Sequence, residues 1–253
     1  MEIVVQRFEV LDSTNLEAAR QIERGAREGA CVVAREQTHG RGRQQRVWLS
    51  APGAGLYLSL VLRPRFAISA WPLLTLMAAV AVADTLEEAG GVSADIKWPN
   101  DLLVENRKIC GILAETVETP ASRAVVLGIG INLKRGALPE DLRNVATALE
   151  EQMSNRFDHA TADHLLGTLL KNLSKGYATL GAEGGTHATL QAWTMRSTYA
   201  QGKSVRVACG PETIQGITRG LNPDGALRLE TTHGDLRILH AGDVEEVRMN
   251  AER

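Results

Sequence analysis

Apolar and polar residues alternate from Val4 to Val10, and that two-residue period predicts a half-buried strand near the start of the chain. The spacing changes to that of a helix across DSTNLEAARQIERG, with Asp12 and Ser13 as capping candidates, Thr14 and Glu17 in capping-box spacing and Gly25 as the stop. A second strand is expected over Ala30 to Arg35 and a third, denser in apolar residues, over Leu56 to Leu62. The apolar segment from Trp71 to Ala89 has helical length and ends at Gly90 and Gly91, a strong stop signal. DIKWPNDLLVENRKICGILAETV reads as a strand, a tight turn at Pro99, Asn100 and Asp101, and a hairpin closed around Glu105 to Arg107. Ala124 to Leu133 continues as a strand in which Gly128 and Gly130 mark places where a ligand or another backbone comes close. Helical patterning returns over residues 161 to 197. From Lys203 short strands follow one another in SVRVAC, ETIQGITRG, ALRLET, LRILHAG and EEVRM, with NPDG as a turn. They make a small all-β unit of about fifty residues, and no internal repeat or low-complexity segment interrupts the pattern.

Composition narrows the class. With 253 residues the chain can bury a large core, as one domain or as a main domain with a small appendage. A content of 44% hydrophobic and 23% charged residues is that of a globular protein, not a disordered or fibrous one. The formal net charge of -2 gives no overall attraction to DNA or to an anionic membrane, so any anion binding must be local. The longest apolar run, Leu73 to Ala83, is broken by Thr75 and falls far short of the ~20 residues a bilayer requires, so it reads as a buried helix. The opening MEIVVQRFEV lacks the basic region, apolar stretch and cleavage site of a signal peptide, and a cytoplasmic location is expected. Cys31, Cys110 and Cys209 are odd in number and without metal spacing, which predicts small buried apolar residues in a reducing compartment.

Against this near-neutral background GRGRQQRVW, from Gly40 to Trp48, concentrates Arg41, Arg43 and Arg46 on a segment too rich in glycine to hold a helix. Gly40 and Gly42 let successive backbone N–H groups converge on an anion, and the guanidinium forks suit phosphate oxygens. The segment also reads as a solvated basic turn. A nucleic-acid arm of the RGG type would need repeats and interleaved aromatics, whereas here one copy ends in the single Trp48. In KWPND, Lys97 leaves a buried strand beside Trp98 and a proline-set turn, a costly place for a charge unless it meets an anion. Read structurally, Trp98 belongs to the core and Pro99 with Asn100 to a turn. DSTN either caps a helix or uses its Ser, Thr and Asn side chains to bind a polar, uncharged ring.

Other chemistries start from weaker signals. There is no Walker loop, and GIG at Gly128 to Gly130 lacks the third glycine of a dinucleotide fingerprint. Neither a nucleophile elbow nor an H-E-x-x-H pair occurs, and His159 and His164, the nearest histidines, are spaced for opposite sides of any helix.

In this order and at these separations, the motifs make the chain resemble the biotin protein ligases. The motifs are DSTN at Asp12 to Asn15, Gln37 followed by GRGR, Arg46 with Trp48, LYLSL at Leu56 to Leu60, KWPND, RKICGILAE at Arg107 to Glu115 and GIGINL at Gly128 to Leu133. The resemblance covers essentially the whole length, and the arginine loop combined with KWPND is highly specific. It implies an α/β (α+β) fold: a catalytic domain over residues 1–200 with a mixed β-sheet and flanking helices, and a small SH3-like β-barrel over residues 203–253. It implies that Ser13, Thr14, Asn15 and Gln37 meet the ureido ring of biotin, with Gly40 and Gly111 also on the biotin side and apolar strands around the valeryl tail. Arg41, Gly42 and Arg43 would form the loop that orders over the intermediate, and Lys97 would bridge the biotin carboxylate and the α-phosphate of ATP. Arg46 and Asn100 would lie on the ATP side, Asn132 near the adenine, and Trp48 at the far anchor of the loop. The implied reaction forms biotinyl-5′-AMP from biotin and ATP, with Mg held mainly through the phosphates, and transfers biotin to a lysine of the biotin carboxyl carrier subunit of acetyl-CoA carboxylase.

Two departures stand out. The family's loop usually has a glycine where this chain has Gln45, which points to a stiffer or differently ordered loop. Some members carry an N-terminal winged helix that makes them repressors of biotin synthesis, and since only about ten residues precede DSTN here, no DNA binding is expected. A lipoate or octanoate ligase of the same superfamily also activates a carboxylate, but KWPND and the two-arginine loop favour biotin. A non-catalytic nucleic-acid module is the reading from another class, and the near-neutral charge opposes it. No membrane partner is expected. Related enzymes dimerise by edge pairing of sheets, so a homodimer is compatible with the resemblance, although periodicity does not locate the edge.

Overall fold

The computed structural model describes residues 1–120, 122–153 and 159–247. The first part of the chain runs β1 (Val4–Leu11), α1 (Thr14–Glu23), β2 (Ala30–Gln37), β3 (Gly55–Leu62), α2 (Leu73–Gly90), β4 (Asp95–Lys97), β5 (Asp101–Val104), β6 (Arg107–Thr119) and β7 (Ser122–Asn132). After α3 (Leu149–Gln152), α4 (His159–Leu180) and α5 (Gly185–Met195) come β8 (Gln201–Cys209), β9 (Glu212–Leu221), β10 (Leu227–Thr231), β11 (Leu236–Leu239) and β12 (Asp243–Glu246).

Seven strands form one mixed sheet in the order β1-β2-β3-β7-β6-β5-β4. β1 and β2 are parallel, as a crossover through α1 requires, and the remaining neighbours are antiparallel. The hairpin expected around Glu105 to Arg107 is tight, with Glu105 and Asn106 both at positive φ, the twist that two-residue hairpin turns need. One face of the sheet is covered by α2, which is apolar on nearly every side because α4, α5 and the sheet surround it. Its buried Leu73, Leu74, Leu76 and Leu86 each contribute roughly 1.5–3 kcal/mol of transfer free energy. Gly91, at φ 64, takes the left-handed position that ends this helix. Among the described residues no helix is long and apolar enough to cross a membrane.

The capping expected at α1 is not formed by side chains. Ser13 is the N-cap residue, but its hydroxyl makes no capping bond, and Thr14 already lies inside the helix. Asp12 instead accepts from the Ser13 N–H at 2.7 Å and pairs with Arg20, which holds its carboxyl below the usual carboxylate range. The helix entry therefore leaves the Ser13 and Thr14 hydroxyls for other partners.

The second sheet is antiparallel throughout, in the order β11-β10-β9-β8-β12. Of the expected EEVRM strand, β12 covers the start, while Arg248 and Met249 lie outside the described residues. Val205, Val207, Leu227 and Leu229 continue the core built around α2, so both sheets share one apolar interior. Gly225 makes the junction possible: a Cβ there would lie 2.9 Å from Leu73 Cδ2, and its carbonyl accepts from Trp98 Nε1 at 3.0 Å. Cys31 and Cys110 are buried as expected, and burial pushes the Cys31 thiol up to about 12. Cys209 departs from the expectation. It is only half-buried, because it closes β8 at the end of the sheet.

Candidate active site

The register of the first sheet assembles the site. Tyr57, Gly130, Gly111, Asp101 and Lys97 lie directly opposite one another across β3, β7, β6, β5 and β4. Ser59, Gly128 and Leu113 form the adjacent row, on the same face because side-chain direction repeats every second residue. The face turned away from α2 therefore has a floor of three glycines. Trp48 lies on it: a Cβ at Gly130 would be 2.6 Å from its Nε1, and one at Gly111 would be 2.9 Å from its Cζ3. Trp48 Nε1 is buried there without a hydrogen-bond partner.

At one end of the floor stands a network of neutral polar side chains tied to the carboxylate of Glu115. Gln37 Oε1 accepts from the Thr14 N–H at 2.8 Å and from its hydroxyl at 3.1 Å, and Gln37 Nε2 donates to Ser50 Oγ at 2.8 Å. Ser59 donates to Asn15 Oδ1 at 2.6 Å, and Asn15 Nδ2 donates to Glu115 at 2.8 Å. Ser13, Thr14 and Asn15 are buried, so this network is rigid and shielded from water. A Cβ at Gly128 would run into Asn15 Oδ1.

Arg41 pairs at 3.1 Å with Glu115, the carboxylate that Asn15 also meets, and the other two arginines lie further along: Arg43 donates to Asn100 Oδ1 at 3.1 Å and Arg46 pairs with Asp243. Gln44 and Gln45 both sit in the left-handed region, at φ 53 and 60. The Gln45 position thus calls for the backbone freedom of glycine, and a glutamine holds it at a cost of about 1–3 kcal/mol. Ser13, Thr14, Asn15, Gln37, Arg41, Gly42, Arg43, Arg46, Trp48, Asn100, Gly111 and Asn132 all line one cavity.

Two expected residues do not line it. Gly40 packs against Ser50 Oγ, where a Cβ would approach to 2.8 Å, and its carbonyl accepts from the Trp48 N–H at 2.9 Å. Lys97 is on the edge strand β4, one strand beyond Asp101, and its ammonium stays 4.0 Å from the Asp101 carboxylate. The lysine at the cavity wall is Lys108, whose Nζ is 2.7 Å from Asp101 Oδ1 and 5.3 Å from the centre of the Trp48 ring. Strict alternation would put Lys108 with Cys110 and Ile112 on the core face. A bulge prevents this: Leu102 pairs with Cys110 and Leu103 with Lys108, so Ile109 is the extra residue and Lys108 turns onto the glycine face.

Asn100 and Asn132 line the cavity but already have partners. Asn100 Nδ2 donates to Ile112 O at 2.8 Å, and Asn132 Nδ2 donates to Thr147 O at 3.0 Å and Lys108 O at 3.3 Å. The segment that Asn132 tethers brings Leu138, Leu142, Val145 and Ala146 to the wall. Glu151 fastens it, accepting from the Thr147 hydroxyl at 2.7 Å and the Ala148 N–H at 3.2 Å. Burial raises the Glu151 carboxyl, but these donors and Arg107 and Arg135 outweigh it and hold the group below the usual range. Sequence reading missed Lys108, Asp101, Asp243, Glu115 and this apolar wall. The RK pair of RKICGILAE was the available signal, one position away from the face that alternation assigns it.

Known proteins share this sequence family and fold. The family profile described as the biotin/lipoate A/B protein ligase family matches residues 8–132, and that of the biotin protein ligase C terminal domain matches residues 201–245. The chain is 38% identical over 242 residues to the bifunctional ligase/repressor BirA of Bacillus subtilis (strain 168), spanning 94% of this chain and 72% of that protein. The chain belongs to the biotin protein ligase family. This ligase is also 34% identical over 238 residues to the biotin--[acetyl-CoA-carboxylase] ligase of Paracoccus denitrificans, covering 92% of this chain and 96% of that one. Its fold is similar to the biotin protein ligase from Aquifex aeolicus solved in complex with biotin and ATP, with a TM-score of 0.82, 27% identity and coverage of 97% and 99% of the two chains. The expected mixed sheet with helices and the small C-terminal β unit are those of this ligase fold.

Proposed function

We propose that this biotin protein ligase binds biotin and MgATP in the cavity above the glycine floor, forms biotinyl-5′-AMP there, and transfers the biotin to a lysine of a biotin carboxyl carrier protein of acetyl-CoA carboxylase. One observation carries the reading: a single cavity runs from a buried, uncharged hydrogen-bonding network at Ser13 to Asn15 to a cluster of guanidinium groups and one ammonium. A ureido ring needs neutral donors and acceptors, and a carboxylate brought onto a triphosphate needs cations.

In this reading Ser13, whose hydroxyl is not engaged in capping, and the remaining Gln37 amide N–H meet the ureido ring. Lys108, steered by Asp101, neutralises the carboxylate as its oxygen attacks the α-phosphorus and the bond to pyrophosphate breaks. Lys97 acts from behind, through Asp101. Arg41, Arg43 and Arg46 face the phosphates, and the wall from Leu138 to Ala146 with Asn132 takes the adenine. In the second step the carrier's amine attacks the acyl carbon, AMP leaves, and the amine proton goes to solvent. The carboxylates at the cation end, Asp101 and Asp243, are each committed to a Lys or Arg partner, so Mg would arrive on the phosphate oxygens of its substrate.

Incubation with labelled biotin, MgATP and a carrier domain should label one lysine of the carrier. Labelling with lipoate or octanoate instead would overturn the substrate. The proposed function is that of the ligase half of the bifunctional relatives, without operator binding, and a gel shift at physiological salt checks this. β1 is a free sheet edge with Val4, Val5 and Val10 exposed, which supports an edge-paired homodimer that sedimentation would detect.

A further inference from the structure

Each arginine of the loop is met by a carboxylate, and one carboxylate comes from the far end of the chain. Asp243 opens β12, the edge strand of the second sheet, and lines the cavity. Arg46 pairs with its Oδ2, and Arg43 Nη1 lies 3.8 Å from its Oδ1 while donating to the adjacent Gly242 carbonyl at 3.2 Å. Gly242 lets the start of β12 lie tightly on β8, since a Cβ there would be 2.6 Å from Val207 Cγ1. The loop has little to hold its own shape. Gly42 to Arg46, Arg46 to Arg43 and Trp48 to Gly40 are its backbone bonds, and Gln44 and Gln45 hold strained positive φ.

We propose that Asp243 is a positioning residue of the ligase: a clasp through which the second sheet holds Arg43 and Arg46 over the phosphate end of the cavity. The proposal rests on reading that end as the ATP site. Two guanidinium groups share one carboxylate, so the cluster keeps a net positive charge, and each fork retains free N–H donors for phosphate oxygens. The contact to Arg43 matters most. The Arg43 and Asp243 side chains are 22% and 27% exposed, whereas Arg46 is 64% exposed and its pairing is screened by salt.

The test uses the full chain with Asp243→Asn and Asp243→Glu. Hydrogen exchange of residues 40–49 is measured without ligand, together with the kinetics of pyrophosphate release and the fraction of biotinyl-AMP that escapes into solution. Asp243→Asn should speed exchange in the loop by about fivefold and raise the KM for ATP by roughly three- to tenfold, with a smaller effect on kcat and more escape. Asp243→Glu should recover most of this, and unchanged exchange in β8 to β10 would show that the sheet is intact. Wild-type loop exchange and KM in Asp243→Asn would overturn the clasp, and so would a lowered KM, which would make Asp243 a competitor of the phosphates. A wild-type protein that releases no pyrophosphate with biotin would sink the ligase reading alone, because the exchange measurement needs neither substrate.

Discussion

Lys108 forms the short ion pair with Asp101, at 2.7 Å, while Lys97 stays 4.0 Å from the same carboxylate on the other side. The two lysines should therefore separate kinetically. Lys108→Met is expected to slow biotin-dependent pyrophosphate release about a hundredfold, ~3 kcal/mol of transition-state stabilisation. Lys97→Met, acting only through Asp101, should cost less than about fivefold. A reversed order would return the central role to the KWPND lysine.

The glycine floor gives a second expectation. In Gly128→Ala the new methyl would run into Asn15 Oδ1, which is held by Ser59 and, through Nδ2, by Glu115. Something must move, and the polar network moves with it. The KM for biotin should rise at least about tenfold, ~1.4 kcal/mol, while the KM for ATP stays within about twofold. Initial rates against each substrate distinguish this from a general loss of fold, which would lower kcat and the melting temperature together.

Arg43 joins the loop to Asn100 and to the Gly242 carbonyl. Without those bonds the loop should still permit adenylation but not retain its product. Arg43→Gly is expected to release pyrophosphate in the presence of biotin and to label bystander proteins with biotin, because the escaping mixed anhydride acylates exposed amines. Loss of pyrophosphate release in this variant would instead place Arg43 in the chemical step.

Glu151 makes the apolar wall sensitive to acid. Its folded-state pKa lies below its ordinary 4.5, so the unfolded chain takes up the proton first. The stability it contributes is fully present above pH 4.5 and is lost as pH falls through the lower folded value. Glu151→Gln should lower stability by about 1–2 kcal/mol at neutral pH, and the gap between the two proteins should narrow as pH falls below 4.5. Melting curves over pH 3–7 measure this (roughly the range in which carboxylates titrate). A gap independent of pH would mean that the carboxylate's charge is irrelevant to the Thr147 and Ala148 bonds.

The sequence by itself determined the strands, the buried helix over the Trp71 to Ala89 segment, the DSTN helix start and the positive loop, because each is written in local periodicity, glycine placement or charge density. It also marked Gly128 and Gly130 as close-approach positions, and both lie under Trp48 or Asn15. Tertiary structure alone decided which lysine faces the cavity, since the extra residue Ile109 is a property of the pairing between β5 and β6 and leaves no trace in alternation. It also decided the partners of the Thr14 hydroxyl, which Gln37 and Ser59 claim from other strands. The partner of Arg43 and Arg46 lies beyond any local pattern. Asp243 meets them because Gly225 lets the second sheet pack closely on Leu73 and Leu76, and the shared apolar core supplies the driving force.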